Sequence, residues 1–539
     1  MLSDLFPVRA RHGTLRRTHT SMPRIARIAS RRLCRLGLAF VLLAPAAEGG
    51  QQQPIQRLDR SLIDAADVDA AIGRLMKASE VIGVAIAVIN NGAIVYTKAY
   101  GHRDVETNAP LTSDSVMSGA SFTKSAFAYM VVQLASEGRL DLDKPVVQYL
   151  PKPLPQYPGY GDLARDDRYR QITSRMLLAH TSGFPNLRFL EPDRKLRIVF
   201  DPGTRFAYSG EGMMLLQLVV EAITNRPLAQ LMDERVFRPL GMTRTSMVWL
   251  DRFETDFANG YDEYGRSLGP QRKKVADAAG SMQTTVTDYA RLMQAMLTGE
   301  GLRPEAMKDV LSPQVRIHSK HQFPTDAPDV TNENDAIRLS YGLGWGLYWS
   351  PAGEAFFKEG HDDGWRNYAV GFVESKSGMV IMTNSGNGEG IFKDILETVI
   401  KDTYTPIEWE GYTPYDKLPP RPPLQKHTVA HVDVETLETY AGEYVLPGDV
   451  KVVLTIKRDG DHLTIQENDE PEQTLLPESE TQFFSTSSDD VVRFEADPQG
   501  RVTHLILRVD GKDIRIPRRT QSTTASRGHR HRAPFARSR

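Results

Sequence analysis

Apolar positions in this chain alternate between helical and strand-like spacing, and the changeovers divide it. From Arg57 to Met76 they recur at helical spacing and predict a helix. Val81 to Ile89 and Ala93 to Tyr100 are β-type runs, joined by Asn91-Gly92, the strongest short hairpin signal. Ala126 to Leu134 is apolar almost all round, which predicts a helix buried on every side and ended by Gly138. Leu140 to Leu150, with Pro145, reads as irregular. Met213 to Ile223 is a second nearly all-apolar helix, entered through the Asp201-Pro202-Gly203 turn and Phe206 to Gly210. Thr284 to Leu297 is amphipathic, with Thr287 as the expected N-cap and Asp288 and Tyr289 in its first turn.

The spacing then returns to strands at Tyr341–Trp349, Glu354–Lys358, Tyr368–Glu374 and Met379–Asn384, with Ile391–Ile400 as a closing helix. Arg316 to Arg338 is polar and reads as a surface insertion. Strands, then helices, then strands again predict an α+β core with helices packed on an antiparallel sheet. Five prolines between Pro414 and Pro423 mark a stiff linker. Beyond it, Val450–Ile456, His462–Ile465, Val491–Ala496 and Val502–Val509 alternate apolar and polar, with turns at Asp459-Gly460, Gln499-Gly500 and Asp510-Gly511. Short strands so spaced predict a small all-β barrel or sandwich. The expected organisation is a leader over 1–47, a main domain over 57–405, a linker over 406–430, an all-β domain over 431–517 and a basic tail over 518–539.

Composition changes this picture mainly at the ends. A net charge of −2 over 539 residues gives no case for nucleic acid as a partner. The N-terminus is different. Arg24, Arg27, Arg31, Arg32 and Arg35 precede the apolar run Leu36 to Ala44, with Ala44-Pro45-Ala46 as a small-residue cleavage site. This predicts an export signal, loosely of twin-arginine type, and a periplasmic or secreted protein with no transmembrane segment in the mature chain. The run is too short to span a bilayer. The single cysteine, Cys34, lies before it, so cysteine nucleophiles and thiolate metal sites are excluded from the mature chain.

Candidate chemistry centres on Ser121-Phe122-Thr123-Lys124, the one Ser-x-x-Lys in the sequence. Positions i and i+3 share a helix face. An amine held there, its pKa lowered by desolvation, can take the proton of a serine hydroxyl. Taken alone, the pair reads first as a serine cap followed by a solvated lysine. Tyr208 sits at a loop-to-helix junction much as Ser121 does, where a phenol near an ammonium can relay a proton. Lys358-Glu359-Gly360 closes a strand: its lysine could attract an anionic substrate, and its glycine would let substrate backbone lie against the edge. Gly-x-Ser-x-Gly and His-Glu-x-x-His are both absent. His318 with His321, and His427 with His431, have ligand-like spacing but lie in polar or linker segments.

Together, Ser121-x-x-Lys124, Tyr208-Ser209-Gly210 and Lys358-Glu359-Gly360 resemble, in order and spacing, the penicillin-recognising serine hydrolases. The similarity is to the branch of class C β-lactamases, D-alanyl-D-alanine carboxypeptidases and related esterases. His180-Thr181-Ser182-Gly183, Pro239-Leu240-Gly241-Met242, Ala279-Gly280-Ser281-Met282 and Tyr341-Gly342-Leu343-Gly344-Trp345 resemble further family segments, so the likeness runs from about Val81 to Ile400.

The resemblance implies an acyl-enzyme on Ser121, with Lys124 and Tyr208 as coupled base and acid. It also implies that Lys358, Glu359 and Gly360 line the substrate and that the backbone N–H groups of Ser121 and His361 hold the oxyanion. No cofactor or metal is implied, and the partner is a small-molecule or peptide substrate: D-amino-acid peptides, small esters or amides, or β-lactams. A module that is acylated without turnover and an inactive binding scaffold are the alternatives. Two departures stand out. Gly210 replaces the usual Asn of the second motif, and Glu359 replaces a hydroxyl or small residue in the third. The all-β domain resembles the lipocalin-like modules attached to some relatives.

Overall fold

The computed structural model describes residues 54–519 apart from 192, 326, 328, 422–425, 448–451, 469–471, 487, 489, 510 and 511. The leader, Cys34 and all but the first two residues of the basic tail lie outside the described residues.

The main domain is organised by one antiparallel sheet. Its strands, in chain order, are β1 (Gly83–Asn90), β2 (Ala93–Asp104), β3 (Ala109–Pro110), β4 (Val315–Arg316), β5 (Ser340–Tyr341), β6 (Gly346–Ser350), β7 (Gly353–Asp362), β8 (Trp365–Phe372) and β9 (Ser377–Thr383). They lie side by side as β4-β5-β6-β7-β8-β9-β1-β2-β3. All eight residues of β1 are buried. Because side chains alternate across a strand, Ala85, Ala87 and Ile89 enter one core while Val84, Ile86 and Val88 enter another. The sheet therefore separates two apolar layers. Helices α1 (Ala65–Ser79) and α5 (Phe392–Val399) cover one face, and α2 (Phe122–Ser136) and α4 (Val286–Thr298) the other. A further helix, α3 (Gly210–Thr224), packs with α2 in the second layer.

The hairpin forms where the sequence predicts it. Asn91 and Gly92 both take positive φ (51° and 73°), the conformation a two-residue turn needs to match strand twist. Other boundaries move. The first helix begins at Ala65 rather than Arg57, because Ile55–Gln56 and Leu62–Ile63 pair as a small hairpin ahead of it. Helix α4 is capped by Thr285, not Thr287. Thr285 is extended and its Oγ1 accepts from Asp288 N at 3.1 Å, whereas Thr287 Oγ1 donates to the Ser113 carbonyl. The expected strand 341–349 is two strands split by a turn, with Gly342 N donating to the Trp345 carbonyl. Strand β7 runs on to Asp362, carrying Lys358, Glu359, Gly360 and His361.

Two segments read as peripheral join the core. In the insertion after β4, Ile317 and Gln322 are buried. Where the linker was expected to begin, Ile407, Trp409 and Tyr412 pack into the same apolar layer as α1. Their burial depends on partners far along the chain, so local proline content hides it.

The C-terminal domain follows a short helix, Val434–Tyr440, with eight antiparallel strands in sequential order from Gly442–Val445 to Lys512–Pro517. Tyr444 bridges Arg518, which brings the last strand back to the first and nearly closes the barrel. Its core holds Tyr440, Tyr444, Phe483 and Phe494. No helix among the described residues is long and apolar enough to cross a membrane.

Candidate active site

Helix α2 has twelve of its fifteen residues buried, so whatever its first turn carries is held against the sheet. Ser121 is the N-cap residue (φ −68°, ψ −4°) and makes no side-chain capping bond, which leaves Oγ free for other contacts. The residue before it, Ala120, sits at φ +44°, a left-handed backbone that costs a non-glycine residue about 1–2 kcal/mol. Neighbouring bonds hold this turn in place. Gly119 N donates to the Met282 carbonyl at 2.8 Å, Ser118 Oγ to Asp362 Oδ2 at 3.0 Å, and Asn367 Nδ2 to the Ser118 carbonyl at 3.0 Å. The nucleophile candidate is thereby tied to both β7 and β8.

Lys124 is 3% exposed, not a solvated surface lysine. Its Nζ donates to Ser121 Oγ at 2.9 Å and to the Ala279 carbonyl at 2.6 Å. Burial, and then the charge of Lys358, pull its ammonium down to about 7. Tyr208 lies within reach of both lysines: Lys124 Nζ and Lys358 Nζ are each 4.9 Å from its ring centroid. Lys358 Nζ also donates to its hydroxyl at 3.1 Å. Burial, and then the Glu359 carboxylate, push the phenol well above its usual range, while a contact with the Ser121 hydroxyl works against them. The structure thus brings Ser121, Lys124, Tyr208 and Lys358 together.

Strand β7 supplies the opposite wall. Its pairing with β6 stops at Phe357, while pairing with β8 continues to Asp362, so residues 358–362 form an edge bonded on one side only. A Cβ at Gly360 would lie 2.9 Å from the Gly119 carbonyl and 3.0 Å from Asn367 Nδ2, which explains a residue without one where strand and nucleophile turn touch. His361 follows on this edge with its side chain exposed.

At Gly210 a Cβ would meet Leu187 Cδ2 at 2.8 Å and the Asn186 carbonyl at 3.1 Å. The loop 185–188 fills the space a side chain there would need. Asn186 Oδ1 accepts from Gly210 N at 3.2 Å and its carbonyl from Glu211 N at 2.9 Å, and the buried Glu211 carboxylate accepts from Arg188 N at 2.8 Å.

Three neighbours have no role assigned from the sequence, although His180 and Ala279 open two of the segments that carry the resemblance. His180, fully buried, accepts from Ser209 N through Nδ1 at 3.2 Å and packs on the Tyr208 ring at 4.4 Å. Burial, then Lys358 and Lys124, hold it well below its usual range, so it is neutral. Ala279 offers only a carbonyl, which no side-chain pattern reveals. Glu410 is 5% exposed, and neither carboxylate oxygen has a hydrogen-bond partner. Burial, then Glu359, raise it well above the carboxylate range. The paired histidines are not brought together as ligands: His427 stacks on Phe484 and contacts Glu478 instead. Among the described residues no group of three or more His, Cys, Asp or Glu side chains could hold a metal ion.

Comparison with known proteins matches residues 68–399 to the β-lactamase family and residues 426–518 to a domain of unknown function. Esterase EstB of Burkholderia gladioli is 26% identical over 294 residues, covering 46% of this chain and 73% of that protein. A penicillin-binding protein of Bacillus subtilis is 22% identical over 466 residues, covering 79% and 93%. Among solved structures, the octameric penicillin-binding protein homologue from Pyrococcus abyssi aligns with a TM-score of 0.51 at 20% identity, over 84% of this chain and all of that one. A β-lactamase/D-alanine carboxypeptidase from Pseudomonas syringae aligns with a TM-score of 0.51 at 19% identity, over 64% and 99%. These two likenesses concern the fold.

Proposed function

Since the chain belongs to the β-lactamase family, we propose that it is a serine hydrolase working through an acyl-enzyme on Ser121. Its substrates are small esters, amides, D-amino-acid peptides or β-lactams. The observation that carries this reading is the buried Lys124 amine, 2.9 Å from Ser121 Oγ, where burial pulls its ammonium down to about 7.

A neutral Lys124 takes the Ser121 proton as Oγ attacks the carbonyl carbon. The developing oxyanion is held by the backbone N–H groups of Ser121 and His361, the latter on the open edge of β7. The proton then passes to the leaving group through Lys124 and Tyr208, whose titrations belong to the pair. Lys358 keeps the Tyr208 hydroxyl in place by donating to it. Water attacks the acyl-enzyme in the second half, with the same groups acting in reverse. The arginines that precede the apolar run Leu36 to Ala44 support export, and with it activity outside the cytoplasm.

The test is to incubate the mature protein with a p-nitrophenyl ester, a D-amino-acid amide and a chromogenic cephalosporin while following intact mass. Turnover that disappears in Ser121→Ala supports the reading. A stable adduct without turnover supports an acylated, non-hydrolysing module. Hydrolysis unchanged in Ser121→Ala would falsify the assignment.

A further inference from the structure

The cation that faces the proposed substrate edge is already fully engaged. An ammonium has three N–H donors. Lys358 Nζ directs them to Glu359 Oε1 at 2.6 Å, the Tyr208 hydroxyl at 3.1 Å and the Glu359 carbonyl at 3.2 Å. The Lys358 and Glu359 side chains are 0% and 6% exposed, so water does not dilute the pair. A substrate carboxylate entering here has two options. It can displace Glu359 and leave a buried carboxylate unpaired, or it can lie beside Glu359 as a like charge. Both are unfavourable.

The surroundings add a further acid, and the nearby cations are already engaged: Arg366, paired across from His361, binds Glu389 at 2.8 Å. Glu410, within electrostatic reach of Lys358 and Glu359, is a second buried carboxyl. The Lys273 charge acts on the largely buried Asp362. Lys124 has its own acceptors in Ser121 and Ala279. Phe323 is 44% exposed with its ring 5.5 Å from that of Tyr208, an apolar surface next to the reacting groups.

Resting on the reading of Ser121 as nucleophile, we propose that the acyl donor presents no carboxylate to this edge. The site takes an uncharged ester or amide with an apolar group along Phe323, and Glu359 is the residue that turns carboxylates away. A charged pair consecutive on one strand thereby acts as a built-in occupant of the anion position.

The test uses three aryl esters that differ in one substituent on the acyl side: methyl, carboxylate or ammonium. For the wild-type protein kcat/KM for the methyl ester exceeds that for the carboxylate by about tenfold or more at low salt. In Glu359→Gln that ratio collapses toward one, and Glu359→Thr, which removes both charge and length, gives the same direction. Ammonium selectivity equal to or above the methyl ester also supports the proposal. A carboxylate ester preferred by the wild type overturns it, as does a selectivity ratio unmoved in both variants. Ser121→Ala runs alongside: if it hydrolyses all three esters like the wild type, the nucleophile assignment has failed, a result separate from the selectivity outcome.

Discussion

The Ala279 carbonyl accepts from Lys124 Nζ at 2.6 Å, closer than the 2.9 Å that separates the same nitrogen from Ser121 Oγ. A neutral amine has two N–H bonds and one lone pair. Committing an N–H to Ala279 restricts the rotation of the amine and favours aiming the lone pair at the serine hydroxyl. Charged, Lys124 Nζ donates to Ser121 Oγ; once neutral, with an N–H still held by Ala279, it accepts the serine proton, so the direction of transfer follows its charge.

That direction gives a pH dependence. Lys124 is lowered from 10.5 to about 7, so below pH 7 the amine is protonated and cannot accept. Acylation measured by stopped flow falls about tenfold per pH unit below 7 and levels off above it. Lys124→Arg, never neutral in this range, loses acylation at every pH.

Ser121→Ala separates chemistry from folding. Ser121 makes no capping bond through its side chain. Denaturant unfolding of the variant should stay within about 0.5 kcal/mol of wild type, while ester hydrolysis and adduct formation vanish.

Gly210→Asn restores the commoner residue of the second motif but not its function. The new Cβ would meet Leu187 and Asn186 at 2.8 and 3.1 Å, so the loop 185–188 must move. Urea titration should record a loss of about 1–3 kcal/mol, with no gain in cephalosporin turnover.

Gly360→Val drives a side chain into the Gly119 carbonyl, two residues before the nucleophile. A displacement of this size lowers kcat/KM by about 10²-fold, read in steady-state ester hydrolysis.

Asp402 sets a stability slope. It is buried, accepts from the Tyr348 hydroxyl at 2.7 Å, and is raised from 3.8 to about 6 by burial. The folded protein therefore binds a proton that the unfolded chain has released, and this contribution is full below pH 3.8 and lost as pH rises through 6. Between pH 4 and 7 it falls by roughly 2 kcal/mol, a slope that Asp402→Asn removes in unfolding titrations at fixed pH.

Much of this arrangement is legible in the chain itself. The Asn91-Gly92 turn, the all-apolar helix behind Ser121 and the strand carrying Lys358 are local signals, and each forms near its predicted place. Glu410 escapes because its neighbour Trp409 packs tilted on Phe206 and edge-on against Phe357, residues distant in sequence. The loop at Asn186 escapes because its role follows from a missing atom, the Cβ at Gly210. The polar run after β4 reads as surface, yet Gln322 N reaches the Trp409 carbonyl at 2.8 Å and Phe323 borders Tyr208.

Ser121 opens the helix of one apolar layer, while Tyr208 packs with the aromatic residues of the other, and the two meet where Lys124 lies 2.9 Å from Ser121 Oγ and 4.9 Å from the Tyr208 ring centroid. No excised piece of the chain can inherit the reaction, because neither half owns a complete set of groups. Loosening either layer would set acid and nucleophile adrift from each other.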